Sequence, residues 1–353
     1  MVPELGVIEG YFGQPWRHAD RQQVMSRLRE MGYAFFHFAP KADAFLRRRW
    51  REPHPGPAVG ELTELSAHCR GLGLRFGLGL SPYELYRDFN APAKAAFIDK
   101  VRSLDAIGID DLAILFDDTR GDVPDLAARE AEIVHAAMAN TRARRVFMCP
   151  TYYSDDRMLD VVFGARPAGY LEDLGRRLDP RVDVYWTGEE ICSREYSLGH
   201  LARVAEALRR KPVLWDNYPV NDGPHMSRFL HLRGFTGRPS MIGPHIAAHA
   251  INPALQPHLS LIPAATLAAS YREGPAYCYV SAFKAAARAT AGHELAGMLE
   301  TDLHALQDRG LDRLGDDRER LRRRYAAVDH RMAAEAVRWL DGTDTVDGWV
   351  EDA

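Results

Sequence analysis

The chain has 353 residues and a formal net charge of −4 at neutral pH, with 45 lysines and arginines against 49 aspartates and glutamates. This balance gives no indication of a nucleic-acid or membrane-surface partner. Hydrophobic residues make up 46% of the chain, which is ordinary for a globular protein, and the length allows two domains or one large barrel with an appendage. The four cysteines form no CxxC pair, so neither a zinc knuckle nor a disulfide framework is expected. No signal-peptide pattern or apolar run of membrane-spanning length is seen, and we expect a soluble, cytoplasmic protein.

Eight short apolar segments are predicted to be strands, and they alternate with predicted helices along the chain. The strands begin at residues 5, 33, 74, 111, 145, 182, 212 and 246. Helices are predicted at residues 18–31, 59–72, 125–139, 194–209 and 259–271, and another begins after Asn90, a typical N-cap residue. The strands recur about every 30–40 residues, the length of one βα unit. This regular repeat, without a Gly-rich phosphate loop after the first strand, favours a (β/α)8 TIM barrel over an open doubly wound sheet.

The strand pattern stops at about residue 281. Ala, Arg, Glu and Leu dominate from there to about residue 340, which predicts a small C-terminal α-helical bundle. We therefore divide the chain into a catalytic barrel at residues 1–280 and a C-terminal helical domain at residues 281–353. The helices are candidates for a homodimer contact or for completing a substrate groove, although they show no clean heptads.

Two adjacent aspartates end the fourth predicted strand. Leu112–Phe116 is apolar throughout, as expected of a strand buried on both faces, and Asp117 and Asp118 follow it. Two neighbouring carboxylates repel each other, so the pKa of one tends to be raised, which suits acid chemistry. The structural alternative is that one aspartate caps the next helix and the other is solvated.

Polar and aromatic residues also follow the other strands, at the end of the barrel where TIM-barrel enzymes carry their active sites. They include carboxylates, amides, a lysine and aromatic side chains: Glu9, Gly10, Lys41, Thr151, Tyr153, Trp186, Trp215, Asn217, Asn221, Asp222 and Asn252. Aromatic faces stack on a pyranose while amides and carboxylates bind its hydroxyls, so the set predicts a sugar site. Each residue alone has a structural alternative, such as a turn for Asn217 and Asn221 or barrel packing for Trp186 and Trp215.

These motifs resemble glycoside hydrolase family 84, the O-GlcNAcase and bacterial β-N-acetylglucosaminidase family. The matching pieces run in family order over about residues 5–270: Gly6–Gly13 with Pro15 and Trp16, Ala39–Lys41 with Trp50–Glu52, Leu115–Asp118, Cys149–Thr151 with Tyr153, Trp186–Gly188, Trp215–Asp222, and Asn252 with Pro253. Tyr152 stands where the family usually has Glu, and residues 81–88 depart from the usual loop.

The resemblance implies a retaining exo-β-N-acetylglucosaminidase that removes β-linked GlcNAc from glycoproteins or glycosides by substrate-assisted catalysis. The acetamido oxygen of the sugar attacks its own anomeric carbon and gives an oxazoline. By the same resemblance, Asp117 orients the acetamido group, and Asp118 acts as general acid and then as base. Because neighbouring side chains alternate in direction along a strand, we expect the two carboxylates to splay toward these separate tasks.

The resemblance also implies the substrate-binding residues, which are Gly10, Lys41, Cys149, Tyr153, Trp215, Asn217, Asp222 and Asn252. Tyr153 and Asn217 are placed near the acetamide, while Trp215 and Cys149 are placed in the pocket walls. No metal or organic cofactor is implied. Two alternatives stay open: a hyaluronidase-like endo-β-N-acetylglucosaminidase, and a non-catalytic GlcNAc-binding barrel, which would need no acid.

Overall fold

The structure is a computed structural model that describes residues 2–346. Within this range eight parallel strands close into a barrel in sequence order, with the last strand paired to the first. The strands are β1 Glu4–Glu9, β2 Phe35–Phe38, β3 Arg75–Leu80, β4 Asp111–Leu115, β5 Arg145–Cys149, β6 Val182–Trp186, β7 Val213–Asp216 and β8 Ala248–Ile251. The predicted TIM barrel is confirmed, and each strand begins within two residues of its predicted start.

Twelve α-helices accompany the strands in residues 2–346. They are α1 His18–Glu30, α2 Gly56–Leu72, α3 Ala91–Asp105, α4 Leu126–Met138, α5 Met158–Phe163, α6 Tyr170–Arg177, α7 Leu198–Leu208, α8 Gly223–Met226, α9 Leu261–Glu273, α10 Tyr279–Leu303, α11 Asp317–Ala326 and α12 Arg331–Leu340. The Asn90 side chain accepts a hydrogen bond from the Ala93 N–H at 3.0 Å, so the predicted N-cap of α3 is confirmed. The next turns of α3 bury Phe97, Val101 and Leu104 in the core.

Helices α5 and α6, between β5 and β6, were not predicted. They have six and eight residues. Such short segments give too few turns for an apolar stripe to be recognised. Gly164 (φ 95°) and Gly169 (φ 67°) adopt left-handed conformations that separate them.

The C-terminal helices pack against the barrel and hold two of its loops. Helix α10 lies against α9 and is broken at Gly292 (φ 76°). The Glu335 carboxylate of α12 accepts hydrogen bonds from the backbone N–H groups of His258 at 2.9 Å and Leu259 at 2.8 Å. The Trp339 indole donates to the Ser227 carbonyl at 3.0 Å. These bonds fasten α12 to the loops after β7 and β8, while residues 347–353 of the predicted C-terminal domain lie outside the described residues.

None of the helices within residues 2–346 is both long enough and apolar enough to cross a membrane.

Candidate active site

A cavity of about 880 Å³ opens at the carboxyl ends of the barrel strands. All ten site residues named from the sequence line it: Gly10, Lys41, Asp117, Asp118, Cys149, Tyr153, Trp215, Asn217, Asp222 and Asn252. They come from strands on every side of the barrel and from positions up to 242 residues apart, as the hydrogen bond from Gly10 to Asn252 shows. The closed barrel brings them together, because each lies at or beyond the carboxyl end of one of six strands, β1, β2, β4, β5, β7 and β8.

The two aspartates lie just beyond the end of β4, so strand alternation does not set their directions. Regular pairing ends at Leu115, and Asp118 adopts a left-handed conformation with φ of 61°. A non-glycine residue in this region costs about 1–2 kcal/mol. The Thr119 hydroxyl stabilises this turn by donating a hydrogen bond to the Phe116 carbonyl at 2.6 Å. Both carboxylates consequently face the same cavity, rather than splaying as adjacent strand residues would.

Lys41, at the end of β2, holds both carboxylates. Its ammonium donates a hydrogen bond to Asp117 Oδ2 and lies 3.7 Å from Asp118 Oδ2. Burial opposes a charge on Lys41, but the two carboxylates outweigh it and raise the pKa of the lysine. The resemblance implies that Lys41 binds the substrate, and in the structure its ammonium also contacts both aspartates.

The two aspartates differ in what remains open to a ligand. Asp117 Oδ1 is buried and has no hydrogen-bond partner among residues 2–346, so it is free to accept a donor from the cavity. The Asp118 side chain is 27% exposed. Burial raises the pKa of Asp118, and Lys41 and Arg47 oppose that rise while the charge of Asp117 adds to it. The arrangement therefore offers an acceptor at Asp117 and favours a proton on Asp118.

A chain of hydrogen bonds fixes the amide side of the cavity. Asn217 Oδ1 accepts from the Trp215 indole N–H at 3.0 Å and from Asn252 Nδ2 at 3.1 Å. Asn252 Oδ1 in turn accepts from the Gly10 N–H at 3.2 Å. A Cβ on Gly10 would lie 2.3 Å from Trp215 Cζ2, so only glycine allows this packing.

Asp222 supplies a third carboxylate, at the start of α8. Its Oδ2 accepts a hydrogen bond from the Phe12 N–H at 2.8 Å. Burial raises the pKa of Asp222 to about 6. Tyr153 and Cys149 complete the wall with neutral groups, because burial raises the pKa of the phenol and of the thiol well above their ordinary values.

Several polar residues at the strand ends prove to be structural. Glu9 forms a buried ion pair with Arg21 at 2.7 Å. The Trp186 indole donates to the His200 ring at 2.9 Å, and neither side chain lines the cavity. The Asn221 side chain accepts from the Leu255 N–H at 2.9 Å, so it organises a loop. The structural alternatives considered for Trp186 and Asn221 therefore describe them correctly.

The sequence did not single out several other residues that line the cavity, among them Phe12, Arg47, Arg48, Tyr83, Met158 and Cys192. Arg47 and Arg48 were visible only as part of an arginine-rich loop whose position in space was unknown. Met158 belongs to α5, which was not predicted. The only signal that could have found them is their closeness in sequence to strand ends.

A family model for β-N-acetylglucosaminidase (NAGidase) matches residues 5–305. The chain belongs to this family of glycoside hydrolases. Membership confirms the resemblance to glycoside hydrolase family 84 that was drawn from the strand-end motifs.

The chain is also similar to two curated proteins and to a solved structure. Protein O-GlcNAcase of Rattus norvegicus is 27% identical over 280 residues, which cover 76% of this chain and 30% of the rat protein. Its Mus musculus counterpart matches to the same extent, so the chain spans about 30% of the length of these relatives. A solved structure of a mutant Thermobaculum terrenum O-GlcNAc hydrolase matches with a TM-score of 0.79 and 25% identity, over 96% of this chain and 80% of that chain.

Proposed function

We propose that the protein is a retaining exo-β-N-acetylglucosaminidase that releases β-linked GlcNAc from glycoproteins or glycosides. Family membership supports the reaction class. The observation that carries the mechanism is the pair Asp117 and Asp118, held by one lysine, with a buried oxygen of Asp117 left without a partner among residues 2–346. That oxygen needs an N–H donor, and the 2-acetamido group of GlcNAc supplies one.

In the first step the acetamide N–H donates to Asp117 Oδ1. This contact increases the electron density on the acetamide oxygen and turns it toward the anomeric carbon. The oxygen attacks that carbon as the glycosidic C–O bond breaks, and Asp118 gives its proton to the departing oxygen. The products of this step are a free alcohol, an ionised Asp118 and an oxazoline in its protonated, oxazolinium form, whose N–H stays hydrogen-bonded to Asp117.

In the second step Asp118 takes a proton from a water molecule as that water attacks the anomeric carbon. The oxazoline C–O bond breaks and the acetamide is restored. Two displacements at one carbon return the β configuration. No enzyme carboxylate needs to face the anomeric carbon, unlike ordinary retaining glycosidases, whose two carboxyl groups lie about 5–5.5 Å apart.

The other lining residues have supporting tasks in this proposal. Lys41 stabilises the charge on Asp117 and on Asp118 once that residue has given up its proton. Asp222, Asn252 and the backbone at Gly10 bind sugar hydroxyls, since each presents polar atoms to the cavity. Tyr153 and Asn217 lie at the acetamide, and Trp215 and Cys149 form walls. We further propose that residues 1–280 carry the chemistry while the C-terminal helices hold the loops after β7 and β8.

A chromogenic β-GlcNAc glycoside tests the proposal, with the α-anomer as a control. Turnover of the β-anomer with β-GlcNAc as the first product, observed by proton NMR, would support a retaining exo enzyme. Binding of GlcNAc without turnover would favour a lectin-like barrel, and cleavage only within a longer glycan would favour an endo-acting enzyme.

The oxazoline step has its own test. Successive fluorination of the N-acetyl group weakens the acetamide oxygen as a nucleophile, so kcat/KM should fall steeply along the series. Asp117→Asn should lower the rate strongly with every member of the series. The asparagine side chain has no charge and only one acceptor oxygen, so it cannot accept from both Lys41 and the acetamide as the carboxylate does. A rate independent of fluorination would show that the acetamide is not the nucleophile.

A further inference from the structure

One buried cation of the cavity carries a nitrogen that has no hydrogen-bond partner among residues 2–346. Arg47, in the loop between β2 and α2, lines the cavity and is 8% exposed. Its Nη1 is buried without a hydrogen-bond partner, and no carboxylate of residues 2–346 lies within 4.0 Å of its guanidinium. In contrast, Arg49 in the same loop is exposed and is bound by Glu52 at 2.9 Å.

An unpaired guanidinium is not a stable resting arrangement inside a protein. Arginine keeps its charge at any accessible pH, so it cannot become neutral as a buried lysine can. Burial of a charge without a partner is strongly unfavourable. The Phe12 ring, 5.3 Å from the Arg47 guanidinium carbon, gives a cation–π contact but accepts no hydrogen bond in the plane of the guanidinium. Arg47 Nη1 therefore keeps a hydrogen-bond donor that no acceptor among residues 2–346 satisfies.

The neighbours of Arg47 indicate where that acceptor belongs. Its charge acts on Asp118, because it opposes the rise in pKa of that carboxyl. The next residue, Arg48, is exposed, lines the same cavity and stacks on Tyr83 with its guanidinium carbon 4.8 Å from the ring centroid. A buried arginine that acts on Asp118 and an exposed arginine beside it in the chain thus line the same cavity, and in the proposed mechanism the leaving group is the part of the substrate that contacts Asp118.

We propose that Arg47 and Arg48 form an anion-binding subsite that selects leaving groups with a carboxylate close to the glycosidic oxygen. This inference rests on the proposed function. The carboxylate has two chemical sources, an acidic side chain near a glycosylated serine or threonine and a uronic acid in a glycan. Both present a planar anion that a guanidinium binds through two parallel hydrogen bonds.

The test compares kcat/KM for two phenyl β-GlcNAc glycosides, one with a 4-carboxymethyl and one with a 4-carbamoylmethyl group. The methylene insulates the phenol, so the pair differs in charge more than in leaving ability. We expect the wild type to prefer the carboxylate by about 10- to 100-fold, the range of a charge-assisted hydrogen bond. Arg47→Gln should bring the ratio close to one and Arg48→Gln should lower it in part, while Arg49→Gln should leave it unchanged.

Two further pairs identify the source of the anion. One is a GlcNAc-serine peptide with a neighbouring Glu or Gln, and the other is GlcNAc linked to glucuronic acid or to glucose. If the wild type has a higher kcat/KM for the anionic member of one pair and Arg47→Gln loses this preference, the anion of that pair is the one that the subsite binds.

Other results would overturn the subsite. The subsite is rejected if the wild type shows nearly equal kcat/KM for the anionic and the neutral substrate in all three pairs. An equal loss on charged and neutral substrates in Arg47→Gln would also reject it, since that variant would then act only through Asp118. If Arg47→Gln does not fold, as judged by circular dichroism, Arg48→Gln decides, and an unchanged ratio rejects the proposal. Failure of the wild type to hydrolyse any of the glycosides would reject the proposed function, and the subsite with it.

Discussion

The proton of Asp118 is the part of the proposed mechanism that a single substitution isolates best. Asp118→Asn is the suitable change, because asparagine tolerates the left-handed conformation at φ of 61° better than alanine does. The Lys41 ammonium is 3.7 Å from Asp118 and already donates to Asp117, so the variant should fold normally. It loses the only function that an amide cannot supply here, which is the transfer of a proton.

The size of the loss should depend on the leaving group. General acid catalysis contributes about 10²- to 10⁴-fold when the leaving oxygen is basic, as in serine or an alkyl glycoside. This corresponds to about 3–5 kcal/mol of transition-state stabilisation. A 4-nitrophenolate leaves without a proton, so the first step should lose much less with that substrate.

The assay is kcat/KM for a series of aryl and alkyl β-GlcNAc glycosides over a range of pH. The wild-type rate on a basic leaving group should fall as pH rises through the pKa of Asp118, which burial holds above its ordinary value. Asp118→Asn should abolish this alkaline limb and make the rate steeply dependent on leaving-group acidity. An equal loss on all leaving groups, or an unchanged alkaline limb, would refute the assignment of Asp118 as the acid.

Three other substitutions test the cavity wall and the attachment of the C-terminal helices to the barrel. Gly10→Ala would place a Cβ 2.3 Å from Trp215 Cζ2, so we expect KM to rise at least about tenfold and the free energy of unfolding to fall by about 1–3 kcal/mol, and an unchanged KM would contradict the packing. Asp222→Asn removes a carboxyl whose pKa is raised to about 6, from an ordinary value of 3.8. In the wild type the stability that this carboxyl contributes is fully present below pH 3.8 and is lost as pH rises through about 6. The variant should therefore gain about 3 kcal/mol relative to the wild type between pH 4 and pH 8 in urea unfolding, while losing activity. Glu335→Ala leaves two backbone N–H groups without their acceptor and should cost about 2–5 kcal/mol of unfolding free energy, whereas alanine at an exposed glutamate of α11 should cost almost nothing.

The barrel could be predicted from the sequence because its signal is repeated eight times. Each strand is a short apolar run that ends in a polar residue, and one uncertain boundary does not change the count. The N-cap of α3 could also be predicted, because Asn90 accepts its hydrogen bond from a backbone N–H only three residues along the chain. Helices α5 and α6 were missed because their six and eight residues depend on packing against the barrel rather than on a strong local pattern.

The membership of the site was more predictable than its geometry. A TIM barrel collects strand ends at one face, so knowing the strands was enough to group Lys41 with the two aspartates. The direction of the Asp118 side chain could not be predicted, because it depends on the left-handed conformation of Asp118, three positions beyond the last paired residue. The role of Arg47 was equally hidden, since a loop of several arginines does not reveal which of them lacks a partner.

Two charged residues of the cavity carry a buried atom without a hydrogen-bond partner, as do a few residues elsewhere within residues 2–346. Glu9, in contrast, has its charge matched by Arg21 inside the protein. The groups that face the cavity are left incomplete: Asp117 Oδ1 and Arg47 Nη1 have no hydrogen-bond partner within residues 2–346, and Asp222 is held at a raised pKa. Folding alone would favour a matched group such as Glu9, because an unsatisfied buried polar atom destabilises the native state by about 1–3 kcal/mol. These incomplete groups are therefore where a bound substrate should increase stability most, and a neutral substitution of Asp222 should stabilise the free protein while it weakens binding. A neutral substitution of Asp117 should not, because it would leave the buried Lys41 ammonium without its partner.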